Sequence, residues 1–224
     1  MKIRLAIFDL DGTILDTISG LVISVNKARE KMGLAPQPDE LITSFIGRGA
    51  ANLMRQSLAC DGIESEEEVI RMMDLFNADY NENCIEYTRE YPGVRSMLMT
   101  LKESGLLLAV NSNKNDYPTQ KLIRHFFGED IFSAVSGRKD DVPRKPDPAG
   151  ALILMDSLSC KREETVYIGD SDVDIETARN AGFMSLSVGW GYQSEERLIS
   201  AGAKRIFNKT DKLCRFLQEE LVEG

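Results

Sequence analysis

The chain has 224 residues, 42% of them apolar and 28% charged, which is the make-up of a globular protein with one large domain or a core carrying an inserted module. Its formal net charge of −9 argues against nucleic acid or an anionic membrane as the main partner, since both select a basic footprint. The four cysteines (Cys60, Cys84, Cys160 and Cys214) lie far apart with no CxxC pair, no run approaches the ~18 apolar residues of a membrane helix, and the first apolar run is broken at Asp9, so a reduced cytoplasmic setting is expected.

Ile3 to Phe8 is a short, β-prone apolar run of the length expected for a buried parallel strand. It stops at Asp9-Leu10-Asp11-Gly12-Thr13. On extended backbone, residues i and i+2 point to one side, so Asp9 and Asp11 are expected to face one spot. Two carboxylates ~4 Å apart repel by about 4 kcal/mol at an effective dielectric near 20. A cation, a shared proton or open water must relieve that; the plain alternative is an Asp-rich turn after a strand.

Helical patterning follows. Leu21, Val25, Ala28 and Met32 recur at helix spacing, with Gly33 as the stop. A short helix is predicted from Pro36-Gln37-Pro38-Asp39 to Phe45, and after Gly47-Arg48-Gly49 another over Ala50 to Ala59. Ser65 before three glutamates is a helix start, with Val69, Met73, Phe76, Tyr80 and Tyr87 as one apolar face. Residues 16–90 therefore read as an all-helical module.

From Tyr91-Pro92-Gly93 onward strands and helices alternate. Strands are predicted at Leu106–Val110, Ile131–Val135, Thr165–Ile168, Phe183–Val188 and Ala203–Phe207. Helices are predicted at Val94–Ser104, Asp116–Phe127, Asp147–Leu158 (Asp147 as N-cap), Asp172–Ala181, Glu195–Ser200 and Lys212–Leu221. Repeated strand–helix units imply an α/β, doubly wound parallel-sheet (Rossmann-like) core, made of residues 1–15 and 91–224, with the all-helical cap of residues 16–90 inserted after the first strand. Ligands of such sheets sit at the carboxyl ends of the strands.

Those ends carry Asp9 and Asp11, then Asn111-Ser112-Asn113-Lys114, Arg144-Lys145-Pro146-Asp147-Pro148, and Gly169-Asp170-Ser171-Asp172-Val173-Asp174. Acids, a hydroxyl and a lysine on one sheet edge suggest phosphoryl transfer. Asp9 would be the nucleophile and Asp11 the acid and base. Asp9, the backbone carbonyl of Asp11, Asp170 and, directly or through water, Asp174 would hold Mg²⁺, a hard cation that takes oxygen ligands. Ser112 would hydrogen-bond phosphate, and Lys145 would offset charge between phosphate and Asp9. Taken singly, Asp170, Asp172 and Asp174 could cap a helix, and Ser112 could be structural. Asp172 is expected to point elsewhere, Lys114, Lys139 and Arg144 to be solvated surface charges, His125 to pack on a helix, and Met72, Met73, Met97 and Met99 to fill core.

In their order these residues resemble the haloacid dehalogenase-like superfamily of aspartate-dependent phosphohydrolases: Asp9-Leu10-Asp11-Gly12-Thr13, Ser112-Asn113-Lys114, Lys145-Pro146-Asp147-Pro148 and Gly169-Asp170-Ser171 through Asp174. Thr13, Tyr91-Pro92-Gly93, Ala181-Gly182 and Gly189-Trp190-Gly191-Tyr192 are most similar to the phosphoglycolate phosphatase-like branch. Asn111 departs from the pattern, where an apolar or small residue is more usual. The resemblance implies Mg²⁺-dependent hydrolysis of a small phosphorylated metabolite through an aspartyl-phosphate, by a monomer or homodimer. Asp9 is then nucleophile, Asp11 acid and base, and Asp170 the metal ligand with Asp174 in support. Thr13 and Asn113 are expected to contact the substrate. Arg48, between two glycines before a helix start, would meet an anionic leaving group such as the carboxylate of phosphoglycolate, or else be a solvated loop residue. A β-phosphoglucomutase-like sugar phosphomutase or a pyrophosphatase on the same core is the alternative, and a phospho-receiver module the remote one.

Overall fold

A computed structural model describes residues 2–222. By contacts the chain forms two compact units, residues 1–16 with 90–224 and residues 17–89.

The first unit is built on a six-stranded sheet in the order β5-β4-β1-β6-β7-β8: β1 is Leu5–Phe8, β4 Leu107–Asn115, β5 Ala134–Arg138, β6 Thr165–Gly169, β7 Met184–Val188 and β8 Ile206–Phe207. Every pairing in it is parallel. Helices alternate with the strands: α5 (Val94–Glu103), α6 (Asp116–Phe127), α7 (Ala149–Ser157), α8 (Asp172–Ala181), α9 (Glu195–Ser200) and α10 (Thr210–Val222). The short strands β2 (Leu15–Asp16) and β3 (Arg89–Glu90) make a separate two-stranded sheet that the helical patterning concealed. Strand β1 is buried along its whole length, as a strand covered on both faces must be. Phe8 stands opposite Val110 of β4 and Ile168 of β6. The chain thus winds away from β1 in both directions, and the strand end that carries Asp9 lies at the point where the winding reverses.

The second unit is helical: α1 (Ile18–Lys31), α2 (Asp39–Ser44), α3 (Ala50–Ala59) and α4 (Glu66–Asn83). The apolar stripe of α4 is Val69, Met72, Phe76 and Tyr80, with the Phe76 and Tyr80 rings stacked at 5.2 Å. Met72 replaces Met73 in the predicted face, and Tyr87 falls beyond the helix end. Arg29 of α1 is fully buried. Its guanidinium donates to the carbonyls of Ala35 (2.7 Å) and Ser57 (3.1 Å), to Ser57 Oγ (3.0 Å) and to Asp61 (2.9 Å). A buried cation is tolerated only when its donors are matched in this way.

Several predicted bounds shift. Phe132 packs edge-on against Phe127 before β5 begins, so the strand starts at Ala134 rather than Ile131. Helix α7 begins at Ala149 with Pro148 as its N-cap residue; Asp147 sits one position earlier, its Oδ1 accepting from the Ala149 amide at 2.9 Å. Met99 is 46% exposed and fills no core. Among the described residues, no helix is long and apolar enough to cross a membrane.

Candidate active site

At the end of β1 the chain turns through Gly12, whose φ of +83° favours glycine; a Cβ there would overlap the Asp170 carboxylate. A Cβ on Gly169 would likewise overlap Asp174. Glycine therefore stands at both positions, the turn after β1 and the last residue of β6, because carboxylates occupy the space a side chain would take.

Asp9, Asp170 and Asp174 are all buried, and each offers a carboxylate oxygen within 4.8 Å of the others. Lys145, from the loop before α7, enters the group: its Nζ lies 2.9 Å from Asp9 Oδ1 and 2.7 Å from Asp174 Oδ1. The remaining acceptors are held from several elements. Asp9 Oδ1 also accepts the Leu10 amide at 2.7 Å. Asp170 accepts from Thr13 Oγ1 (3.1 Å) and from the Tyr192 amide (2.7 Å). Asp174 Oδ2 accepts from the Ser171 amide (3.1 Å) and Ser171 Oγ (2.6 Å), a reciprocal cap at the start of α8.

Three carboxylates against one ammonium leave two formal negative charges in a buried space. Burial, and then the repulsion of Asp174, push Asp170 up to about 7 and raise Asp9 well above the usual carboxylate range, although Lys145 opposes the rise. Burial would lower Lys145, but Asp174 and then Asp9 outweigh it and hold the ammonium charged above its ordinary value. An all-oxygen donor set short of two positive charges fits a hard divalent cation.

The other predicted residues take definite places. The Asp11 carboxylate pairs with Lys114 Nζ at 3.1 Å, and Lys114, expected on the surface, is buried. The correction has a simple cause: β4 continues through polar residues to Asn115, so Lys114 belongs to a strand rather than to a solvated turn. Ser112 lies on the same strand and its Oγ accepts the Lys114 amide at 3.2 Å. Asn113 turns its amide to the Lys145 backbone, accepting from N at 2.8 Å and donating to O at 3.1 Å. Thr13 and Asn113 thus have their polar groups on Asp170 and on Lys145. Asp172 faces Gln193 and Arg197 instead of the acid group. His125 lies on α6 against Phe126. Arg48 belongs to the helical unit, between α2 and α3.

Sequence reading missed Tyr167 altogether, and named Lys114 and Trp190 within motifs without foreseeing their partners. The Trp190 indole donates to the Thr13 carbonyl at 3.0 Å, fastening the loop that supplies the Tyr192 amide to the turn after β1.

Fold and site together define a parallel α/β enzyme with a carboxylate-and-lysine centre at the switch point of its sheet. The chain belongs to the haloacid dehalogenase-like hydrolase family, whose model matches residues 6–188. It is 31% identical over 221 residues to the phosphoglycolate phosphatase of Haemophilus influenzae (strain 86-028NP), covering 96% of this chain and 99% of that protein. It is 35% identical over 196 residues to that of Nitrosospira multiformis, covering 86% of each. Among solved structures it is similar to a predicted phosphoglycolate phosphatase from Haemophilus somnus 129pt, with a TM-score of 0.89 at 28% identity over 96% of this chain and 98% of that one.

Proposed function

We propose that this protein is a Mg²⁺-dependent phosphatase of small phosphate monoesters, with phosphoglycolate as the favoured substrate, working through an aspartyl-phosphate on Asp9. The observation that carries the reading is the meeting of Asp9, Asp170, Asp174 and Lys145 in one buried group. Near-full-length similarity to proteins named phosphoglycolate phosphatase supports the substrate class.

Asp9, Asp170 and Asp174 would hold the metal, which when bound neutralises their charge and draws electron density from the phosphate oxygens. An Asp9 carboxylate oxygen attacks phosphorus as the ester P–O bond breaks, and Asp11 gives a proton to the departing alkoxide. Water then attacks phosphorus and passes its proton to Asp11. The acyl phosphate opens, freeing inorganic phosphate and returning Asp9 to the carboxylate. Lys145 places a fixed positive charge between Asp9 and the transferring group, and Ser112 supplies a hydroxyl to the phosphate oxygens. Thr13 and Asn113 serve by holding Asp170 and the Lys145 backbone. The reading of Arg48 as a partner for the substrate's carboxylate is tested separately: Arg48→Ala should slow turnover of phosphoglycolate more than of a neutral aryl phosphate, and equal losses on both would remove it. The four separate thiols accord with a cytoplasmic setting.

The test is steady-state phosphate release from a panel of small phosphate esters with Mg²⁺ and with EDTA. Asp9→Asn should lower turnover by ~10³-fold or more. Full activity in that variant would remove the nucleophile, and activity undiminished by EDTA would remove the metal.

A further inference from the structure

The Lys145 ammonium is held by Asp9 and Asp174, the two groups that a metal and a phosphoryl group would also engage. A lysine carries its ammonium on a flexible four-carbon stem, so its position depends on whatever else surrounds it. Beside it stands Tyr167 of β6, with Nζ over the ring, 5.7 Å from the centroid and within cation–π reach. The phenol is itself pinned. It accepts from Asn111 Nδ2 at 3.2 Å and donates to the Asn111 carbonyl at 3.2 Å, reaching from β6 past β1 to β4.

Both residues are buried, Tyr167 at 1% exposure and Asn111 at 5%, and the Tyr167 ring lies in an apolar cluster with Leu5, Ile7, Ala109 and Ala151. Phenylalanine and a small aliphatic residue would fill that space with no polar atoms to satisfy. Asn113, two residues further along β4, clamps the backbone of the same lysine. Alternate residues of one strand therefore attend to the two ends of Lys145: Asn113 to its peptide, and Asn111, through Tyr167, to its ammonium.

We propose that Tyr167 and Asn111 are positioning residues for Lys145, the phenol ring forming a fixed floor beneath the ammonium and Asn111 fixing the ring. The inference rests on the reading of Lys145 as the cation that meets phosphate. It goes further by assigning a function to two buried polar residues, Tyr167 and Asn111, that the proposed chemistry does not use.

The experiment measures binding of inorganic phosphate, with Mg²⁺ present, by calorimetry and phosphorus NMR. The proteins are the wild type, Tyr167→Phe, Tyr167→Leu, Asn111→Leu, Lys145→Met and the Tyr167→Leu/Lys145→Met double variant. Tyr167→Leu should raise Kd about tenfold at unchanged stoichiometry, and Tyr167→Phe and Asn111→Leu about two- to threefold, because they keep a ring but loosen it. In the Lys145→Met background the Tyr167→Leu change should fall below about twofold, since residues acting through one another are not additive. A loss of stoichiometry at unchanged Kd, or an equal Tyr167→Leu penalty with and without Lys145, would show a packing role and overturn the proposal. If Tyr167→Leu does not fold, Tyr167→Phe and Asn111→Leu decide: unchanged Kd in both overturns it. Wild-type phosphate binding by Lys145→Met would instead refute the underlying reading of Lys145, a separate and recognisable outcome.

Discussion

Removing the charge of Asp9 should stabilise the metal-free protein. Asp9 lies within 4.8 Å of both Asp170 and Asp174, so at an effective dielectric near 20 the two repulsions come to at least about 7 kcal/mol when all three are ionised. Its attraction to Lys145 at 2.9 Å returns about 6 kcal/mol on the same scale. The balance disfavours the charge by at least about 1 kcal/mol before any desolvation penalty is added, and that penalty has the same sign. Asparagine is isosteric. Leu10 N and Lys145 Nζ both donate to Oδ1, so the amide oxygen can keep that place. In EDTA at pH 8, Asp9→Asn should therefore melt at least ~2–4 °C above the wild type, the shift that 1 kcal/mol produces in a protein of this size. Added Mg²⁺ should close or reverse the gap, because only the wild type offers the full set of charges. Thermal unfolding followed by circular dichroism reads both states. A variant that melts below the wild type in EDTA would refute the electrostatic account of this group.

Gly12→Ala should cost about 1–3 kcal/mol, because it combines a left-handed φ with an overlap on the Asp170 carboxylate. It should also weaken Mg²⁺ binding, and unchanged melting with and without the metal would count against the packing described. Trp190 is the chain's only tryptophan and its loop holds Asp170, so its fluorescence should change saturably on Mg²⁺ titration and fail to do so in Asp170→Asn. In the helical unit, burial opposes the charge of Asp79, but hydrogen bonds from Lys27 (2.8 Å) and Ser24 (2.7 Å) prevail and keep its carboxyl below the usual value. An acid lowered in this way adds stability above its unfolded value near pH 4 and loses it as pH falls through the folded value. The urea midpoint of the wild type relative to Asp79→Asn should thus shrink between about pH 5 and 3 by the equivalent of ~0.2–1 kcal/mol, and a gap constant across that range would contradict the pairing.

Much of the core was legible because its strands and helices differ in period. The bounds Asp116–Phe127, Asp172–Ala181 and Glu195–Ser200 follow from apolar spacing between clear stops. Reading only the strand ends isolated Asp9, Lys145, Asp170 and Asp174, which the structure brings together. The failures have a common cause. Hydropathy assumes that buried means apolar, and at the end of β4 it does not: Asn111, Ser112, Asn113 and Lys114 are all buried, with Tyr167, Lys145 and Asp11 among their partners. A lysine in such a stretch looks solvated until its partner is seen, and Asp11 is that partner. Tyr167 is hidden for the opposite reason, since a tyrosine inside an apolar strand reads as ordinary core. The link from Trp190 to Thr13 spans most of the chain and becomes visible only when the strand order is known.

Asp174 shows why helix capping and site building are not rival explanations. Its Oδ2 is committed to the amide and hydroxyl of Ser171, and its Oδ1 to Lys145. The capping bonds do not involve Lys145, so they fix the direction in which the second oxygen points whether or not a ligand is present. The start of α8 also carries the positive end of the helix dipole, roughly half a charge, against a group left with two formal negative charges. A cap that worked alone would leave its free oxygen to water, whereas this one is buried among Asp9, Asp170 and Lys145. The same local rule that starts the helix therefore presents one carboxylate oxygen at a fixed angle to the centre, and the first turn of α8 is part of the site's geometry rather than a neighbour of it.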